Sequence, residues 1–226
     1  MRNGVRILMA VALVGCIPAA WSASSGQMST PAPSSFREQT PQDKARDAYN
    51  TGDRAAKKAD KYADEAEKAT DAGKKQKAEK KASQQYTTAR RQFEEAVEYA
   101  PSMPEAWNSL GYTRRKLGDY DAALEAYDHA LSLKPSYAEA IEYRAEAYLR
   151  LKRLDDAKQA YLDLFAGNRT LADKLLGSMK SWLDTQRSGG NDPAAVEDFS
   201  KWIQERSQIA GQTAALTREG AAASWR

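Results

Sequence analysis

Cysteine and histidine are almost missing from this chain of 226 residues, which has one of each, Cys16 and His129. A disulfide framework needs paired cysteines, and a His/Cys metal site needs several ligands at fixed spacing, so both are excluded. The sequence also has no glycine-rich phosphate loop and no G-x-S-x-G motif. His129 lies in an amphipathic segment, which favours a structural residue over a catalytic base. We therefore expect a protein that is not an enzyme and has no cofactor.

Charged residues are absent between Arg6 and Arg37, a stretch that begins with an apolar run over 7–17. A basic start followed by a short apolar run and small residues is typical of an export signal, and the run is too short to span a membrane.

Two cleavages of this signal fit the sequence. An ordinary signal peptidase would remove residues 1–22, after a run of small residues. The alternative rests on the Leu-Val-Gly-Cys sequence that ends at Cys16, which resembles the bacterial lipobox; removal of 1–15 would then leave Cys16 lipidated. Both alternatives predict an exported, periplasmic protein, and the second predicts a membrane-anchored lipoprotein.

An internal repeat with a step of 34 residues occupies the middle of the chain. The step leads from Ala89 to Ala123 and from Phe93 to Tyr127, and both series reach a third copy after one further step. A repeat of this length is typical of a helical hairpin that buries its apolar face by stacking on its neighbours. The sequence therefore predicts an all-α protein built as a short solenoid of helical hairpins.

The copy over 104–137 carries the pattern most fully and resembles the tetratricopeptide repeat (TPR), whose pattern is W-x2-L-G…A-x3-F…P. In such a unit small residues let the two helices approach closely, large side chains fill the space between them, and a proline ends the unit. The predicted repeat core consists of Trp107, Leu110, Gly111, Ala123, Tyr127, Ala130 and Pro135.

Two arginines depart from the family pattern. Arg114 stands where the family usually has an aromatic or apolar residue, and Arg144 replaces the usual leucine in the weaker copy that follows. That copy ends at Gly167-Asn168 instead of at a proline, as terminal repeats often do. We assign residues 101–168 to TPR repeats.

Large aliphatic residues are scarce over 42–100, which we assign to a degenerate first repeat with a charged helical insertion. The alternative is one long helix broken at Gly73. In both cases the composition predicts a solvated helix without a deep core.

The two ends of the exported chain differ in composition. Residues 23–41 are rich in Ser, Thr, Pro and Gln, which predicts a disordered tether. Residues 169–208 carry two apolar helical stripes and predict a C-terminal helical cap on the solenoid. Residues 209–226 are mostly small and polar, which predicts a flexible tail.

The resemblance to TPR modules implies a concave groove, lined by the first helix of each hairpin, that receives a peptide or a helix. Transferred position by position, the predicted partner-binding residues are Asn108, Tyr112, Arg115, Lys116, Glu142, Glu146, Leu149 and Arg150. We therefore expect a non-catalytic protein–protein interaction adaptor or scaffold of the bacterial cell envelope, with another envelope protein as its partner.

Basic residues dominate the segment 74–91, where Glu79 is the single acid. This local positive charge predicts a weak contact with an anionic surface. Nucleic-acid binding is not expected, because no aromatic residues interleave on that face. The alternative function is a structural subunit of an envelope or secretion assembly, which would use this charged helix and the C-terminal helices.

Overall fold

A computed structural model describes residues 39–188 and 193–223. The predicted export signal, Cys16 and the predicted tether up to residue 38 lie outside the described residues. Over the described residues the chain forms eight helices and no strand, which confirms the predicted all-α fold. The helices are α1 (Pro41–Lys68), α2 (Ala72–Tyr99), α3 (Pro104–Lys116), α4 (Tyr120–Leu133), α5 (Ala138–Arg150), α6 (Leu154–Gly167), α7 (Arg169–Ser188) and α8 (Pro193–Ala223).

The helices pair as hairpins that stack in chain order. Each helix packs against the next one along the chain, and α3 also packs against α5, as α5 does against α7. Contacts between the first helices of successive hairpins are the mark of a solenoid, and they place α1, α3, α5 and α7 along one side of the stack.

The first hairpin is much longer than the next two. α1 and α2 have 28 residues each, whereas α3 has 13 and α4 has 14. Thr40 and Asp43 form a capping box at the start of α1, and Asp71 caps α2 by accepting from the Lys74 backbone at 2.8 Å. At 1.5 Å per residue, the extra length amounts to about 20 Å. We call residues 63–83, which include the turn of this hairpin, the arm.

Alanine side chains fill the contact between α1 and α2, so the expectation of a solvated helix is wrong for the faces along which the two helices meet. The small residues recur at three- and four-residue spacing, so two helices can approach closely along their whole length. The buried alanines are Ala45, Ala48, Ala55, Ala56, Ala59 and Ala66 in α1 and Ala78, Ala82, Ala89 and Ala96 in α2.

Of the two expected arrangements of 42–100, the single long helix broken at Gly73 is wrong. The extra residues lengthen both helices of one hairpin instead of forming a separate insertion. The chain reverses between Lys68 and Ala72, and Gly73 lies in the first turn of α2, so there is no single helix broken at Gly73.

A glycine contact shows that this first hairpin follows the repeat. A Cβ on Gly111 would lie 2.6 Å from Cε1 of Tyr127, and a Cβ on Gly52 would lie 2.8 Å from Cε1 of Phe93. Phe93 and Tyr127 are one repeat step apart. In both hairpins an aromatic ring at this position of the repeat therefore fills the space beside a glycine. This supports a degenerate first repeat over 42–100.

Most of the predicted repeat core over 104–137 is buried, with two exceptions. Trp107 is half-buried: its ring stacks on His129 at 4.4 Å, and its indole nitrogen donates to the Pro101 carbonyl at 2.8 Å. Pro135 is exposed in the turn between α4 and α5, so its assignment to the core is wrong. The buried members are Leu110, Gly111, Ala123, Tyr127 and Ala130.

The two unusual arginines bind neighbouring elements instead of packing in the core. Arg114 donates to the Ala122 carbonyl at 3.1 Å and pairs with Glu94 of the preceding hairpin at 3.5 Å. Arg144 pairs with Asp128 at 2.6 Å, again across two hairpins. Both long stems therefore carry their charge to the edge of the helix stack.

The turns within the second and third hairpins adopt a left-handed conformation at equivalent positions. Gly118 has φ of 87° and Lys152, one repeat step later, has φ of 58°. Glycine adopts this conformation without steric cost, whereas lysine does not.

The C-terminal helices complete a fourth hairpin. Trp202 of α8 meets Tyr161 of α6 at 5.4 Å, and Phe199 meets Trp182 of α7 at 5.5 Å. α8 continues to Ala223, so most of the predicted tail over 209–226 is helical. None of the helices within the described ranges is long and apolar enough to cross a membrane.

Candidate binding groove

A pocket of about 310 Å³ opens between α3, α5 and α7, on the side of the stack formed by the first helices. We call it the groove pocket. Three basic side chains and one carboxylate line it together with hydroxyl, amide and apolar groups. Its residues are Arg115, Lys116, Glu146, Leu149, Arg150, Ser178, Ser181, Trp182, Thr185 and Gln186.

Five of the predicted partner-binding residues line the groove pocket: Arg115, Lys116, Glu146, Leu149 and Arg150. The sequence interpretation missed the whole α7 side, because α7 was assigned to a cap. A signal was available in the small hydroxyl residues Ser178, Ser181 and Thr185, which recur at helical spacing beside the apolar stripe.

Asn108 does not line the groove pocket. Its side chain is buried, and its amide nitrogen donates to the Tyr137 hydroxyl at 3.5 Å, a long hydrogen bond. Burial raises the pKa of Tyr137 to about 12. The side chain of Asn108, predicted to bind a partner, therefore lies in a contact between α3 and the start of α5.

Tyr112 belongs to a three-residue cluster that joins the first two hairpins. Its hydroxyl and that of Tyr86 both donate to the same carboxylate oxygen of Asp60, at 2.5 Å for Tyr86. Burial, with the Asp60 carboxylate adding to it, raises the pKa of both tyrosines well above the ordinary value. Lys116 lies over both rings, at 5.9 and 5.6 Å from their centroids. Tyr112 thus fixes α3 to the base of the arm.

Glu142 is fully buried between α5 and α7, so its prediction as an exposed lining residue is wrong. One carboxylate oxygen accepts from Lys174 at 3.0 Å, and the other has no partner among the described residues. Burial, with the nearby Glu146 carboxylate adding to it and Lys174 opposing both, raises the pKa of Glu142 to about 7. The helix that the sequence interpretation placed at the end of the solenoid covers this carboxylate.

Glu146 has its charge engaged inside the groove pocket. Arg115 forms an ion pair with it, and the Ser178 hydroxyl donates to it at 3.0 Å. Lys116 and Arg150 are exposed, and neither forms an ion pair with any residue that the structure describes. The open part of the groove pocket therefore has two cations that no carboxylate among the described residues pairs with.

No group of three or more His, Cys, Asp or Glu side chains is placed to hold a metal ion in the described part of the chain.

The family model of the tetratricopeptide repeat matches residues 104–137, which are α3, α4 and the turn that follows them. Residues 104–137 are therefore a tetratricopeptide repeat by this match. Helical repeats of this class stack into a concave surface that generally binds protein partners, and the family is typically non-catalytic.

Proposed function

We propose that this protein is a non-catalytic adaptor or scaffold of the bacterial cell envelope that binds a peptide or helix of another envelope protein in its concave groove. The groove pocket is the observation that carries this proposal. It lies between α3, α5 and α7, which are the first helices of three successive hairpins. In TPR modules these first helices line the binding surface.

The chemistry of the groove pocket suits a polypeptide. The Ser181 hydroxyl can bond the backbone of an extended segment, and the hydroxyl oxygens of Ser178 and Thr185, whose protons are donated within the protein, can accept from it. Trp182 provides a large half-buried ring, the kind of side chain that anchors protein interfaces. A volume of about 310 Å³ is enough for one or two side chains of a partner.

Site-specific photocrosslinking in the native host tests the groove. A benzophenone amino acid is placed at Lys116 or Ser181 in the groove pocket, and as matched controls at Ser132 in α4 or Gln159 in α6, which are exposed on second helices. We expect the groove positions to capture one shared envelope protein that the control positions do not capture. A partner captured equally from both faces, or captured from the control face alone, contradicts the groove as the binding surface.

Export rests on the pattern of the first residues, and both cleavages stay open. Mass spectrometry of the mature protein's N-terminus distinguishes them: a lipid-modified residue 16 supports the lipoprotein, and an unmodified start at residue 23 supports the ordinary signal. A chain that keeps residues 1–22 in the cytoplasmic fraction would contradict the envelope assignment.

The arm favours a second candidate, a structural subunit of a larger envelope assembly. Lys74, Lys77, Lys80 and Lys81 are exposed on α2, and no TPR hairpin of ordinary length would present them so far from the repeats. We also propose that this positively charged surface of the arm makes the weak contact with an anionic surface.

Shortening the hairpin separates this second candidate from the adaptor. Replacing residues 63–83 by the Leu-Gly-Asp turn that joins α3 to α4 removes the arm and keeps Asp60 and Tyr86. Loss of a high-mass complex on size fractionation, with groove crosslinks intact, supports the structural subunit. An unchanged complex contradicts it.

A further inference from the structure

The arm and its base present two different sides. On one side Tyr62 of α1 meets Lys81 of α2, whose ammonium lies 5.0 Å from the centre of the ring. The other side is marked by Asp60, whose carboxylate accepts from Tyr112 of α3. Residues two positions apart are separated by about 160° around an α-helix, so Tyr62 and Asp60 face opposite ways. We call the side of Tyr62 the outward face and the side of α3 the inward face.

The outward face carries four exposed lysines and one acid. Residues three, four or seven positions apart lie on the same side of a helix, so the positions of Tyr62 and Lys81 identify the rest of this face. Its exposed charged residues are Lys58 and Glu65 in α1 and Lys74, Lys77 and Lys81 in α2. None of these lysines forms an ion pair with a residue that the structure describes. The outward face therefore has a net positive charge.

The inward face carries the opposite charge. Glu67, Lys75 and Glu79 line a cleft of about 460 Å³ beside the end of α3. Asp60 lies on this face, and Asp64 follows it by one helical turn. Four acids and one lysine of the first hairpin thus lie on the side of α3. The charges are sorted by side, which a count of the basic residues along 74–91 does not show.

The spacing of the outward lysines indicates a surface with many anions. At 1.5 Å per residue, Lys74 and Lys81 lie about 10 Å apart along α2, and Lys58 lies on the neighbouring helix. One carboxylate or one phosphate cannot reach all of them, whereas lipid headgroups can move to meet each lysine. Tyr62 lies among these lysines with its ring half-buried, and tyrosine is enriched where proteins meet the membrane–water interface.

We propose that the outward face lies on an anionic lipid bilayer, with Lys58, Lys74, Lys77 and Lys81 at the phospholipid phosphates and Tyr62 among the headgroups. This rests on the anionic contact proposed above for the arm and names its partner. The same bilayer repels the acids of the inward face, so the arm binds in one orientation. A nucleic-acid strand is disfavoured, because stacking of successive bases needs several aromatic faces.

Sedimentation with lipid vesicles tests the proposal. Residues 23–226 contain no cysteine and so carry no lipid of their own. We expect this chain to bind vesicles of one part phosphatidylglycerol to two parts phosphatidylcholine, to weaken as salt is added, and not to bind pure phosphatidylcholine. Lys74→Gln/Lys77→Gln/Lys81→Gln should weaken binding at least about tenfold, since each lysine near such a bilayer strengthens binding about fivefold.

The matched control removes the same charge from other exposed positions. Lys75→Gln/Lys134→Gln/Lys180→Gln changes one lysine of the inward face and two lysines outside the first hairpin. It should bind the mixed vesicles within about twofold of the wild type. Circular dichroism checks that both triple variants keep the helicity of the wild type.

A fluorescent probe tests the orientation separately. Gln84 follows Lys81 by three positions on the outward side, whereas Ser83 lines the inward cleft, and both are exposed. Gln84→Cys or Ser83→Cys supplies the single thiol for an environment-sensitive dye. We expect the mixed vesicles to increase the emission of the dye at residue 84 and to leave the dye at residue 83 nearly unchanged.

The outcomes separate the two proposals. If the wild type does not bind the mixed vesicles, both the anionic contact and the bilayer proposal fail. If both triple variants lose binding equally, or if the two dyes respond equally, the anionic contact stands and the outward face is overturned as its site. If soluble poly-glutamate binds as tightly as the vesicles and needs the same three lysines, the partner is an acidic polypeptide and the bilayer proposal is overturned.

Discussion

The first and second hairpins differ in the side chains that pack between their two helices. α1 and α2 meet along a series of alanines, and each is about twice as long as α3 or α4. The shorter second hairpin buries the Tyr127 ring and Leu110 beside its own alanines. Small side chains spread the contact along the helices, so a hairpin can grow in length without large apolar residues.

The two hairpins share one detail, a glycine that faces a ring. Gly52 lies against Phe93 and Gly111 against Tyr127. The comparison therefore predicts that larger side chains in place of the alanines destabilise the first hairpin. A side chain in place of the glycine should destabilise both hairpins.

The largest effect is expected where the alanines are most tightly covered. Ala59 is fully buried, so Ala59→Leu would force α1 and α2 apart and cost about 3 kcal/mol of unfolding free energy. Lys61→Leu, on the exposed face of the same helix, should change it by less than about 0.5 kcal/mol. Urea unfolding measures both. A free energy that Ala59→Leu leaves unchanged would show that the alanine contact is loose.

The shared glycine contact gives the second prediction. Gly52→Ala and Gly111→Ala should each cost about 2 kcal/mol, because overpacking against a buried ring exceeds the helix propensity that alanine gains. Gly177→Ala is the matched control, since nothing lies within 4 Å of its Cβ; it should stabilise by about 0.5–1 kcal/mol. Thermal unfolding measures all three, and stabilisation by all three would refute the shared contact.

A pH dependence should come from the α5–α7 contact, which is polar, and not from the alanine contact. Because burial raises the pKa of Glu142 to about 7, the folded state binds this proton more tightly than the unfolded state does. The stabilising contribution of the proton is complete below the ordinary pKa of about 4.5 and is lost as the pH rises towards 7.

Glu142→Gln isolates this contribution. Its unfolding free energy relative to the wild type should rise by roughly 2 kcal/mol between pH 5 and pH 8. Glu139→Gln, an exposed change on the same helix, should show no such rise. Urea unfolding at several pH values provides the measurement, and parallel pH profiles of the wild type and Glu142→Gln would contradict the raised pKa of Glu142 in the folded protein.

The smallest effect concerns the turns. Lys152 occupies the left-handed position that Gly118 occupies one repeat earlier, so Lys152→Gly should stabilise by about 1 kcal/mol. Gly118→Ala should destabilise by a similar amount, about 1 kcal/mol, although nothing lies within 4 Å of its Cβ. Melting temperatures that shift in the same direction would show that backbone conformation does not decide these turns.

The repeat is the part of the fold that the sequence predicts well. Positions such as Ala123 and Tyr127 recur with a fixed step, and periodicity alone places them on the buried side of a helix. The alanine contact was not predictable in the same way. Alanine adds little apolar area for each residue, so α1 and the start of α2 have the composition of solvated helices, and only the pairing of the two shows that they are buried.

The groove was predictable in part, for a similar reason. Lys116 and Arg150 follow from the position of a residue in its repeat, since they end the first helices. The burial of Glu142 and Asn108 could not be predicted from their positions in the repeat, because it depends on which helix follows in the stack. The pairing of Glu142 with Lys174 spans 32 residues and two hairpins, and no local pattern announces it.

The most direct test of the groove as the binding surface is to fill it. Ser181→Trp places a large ring in the groove pocket, whereas Ser132→Trp places the same ring on the exposed side of α4. Titration calorimetry with the crosslinked segment of the captured partner compares the two variants with the wild type, after circular dichroism has shown equal helicity. The account predicts that Ser181→Trp weakens binding at least about tenfold and that Ser132→Trp leaves it within about twofold. Equal affinity of Ser181→Trp and the wild type would contradict the central claim.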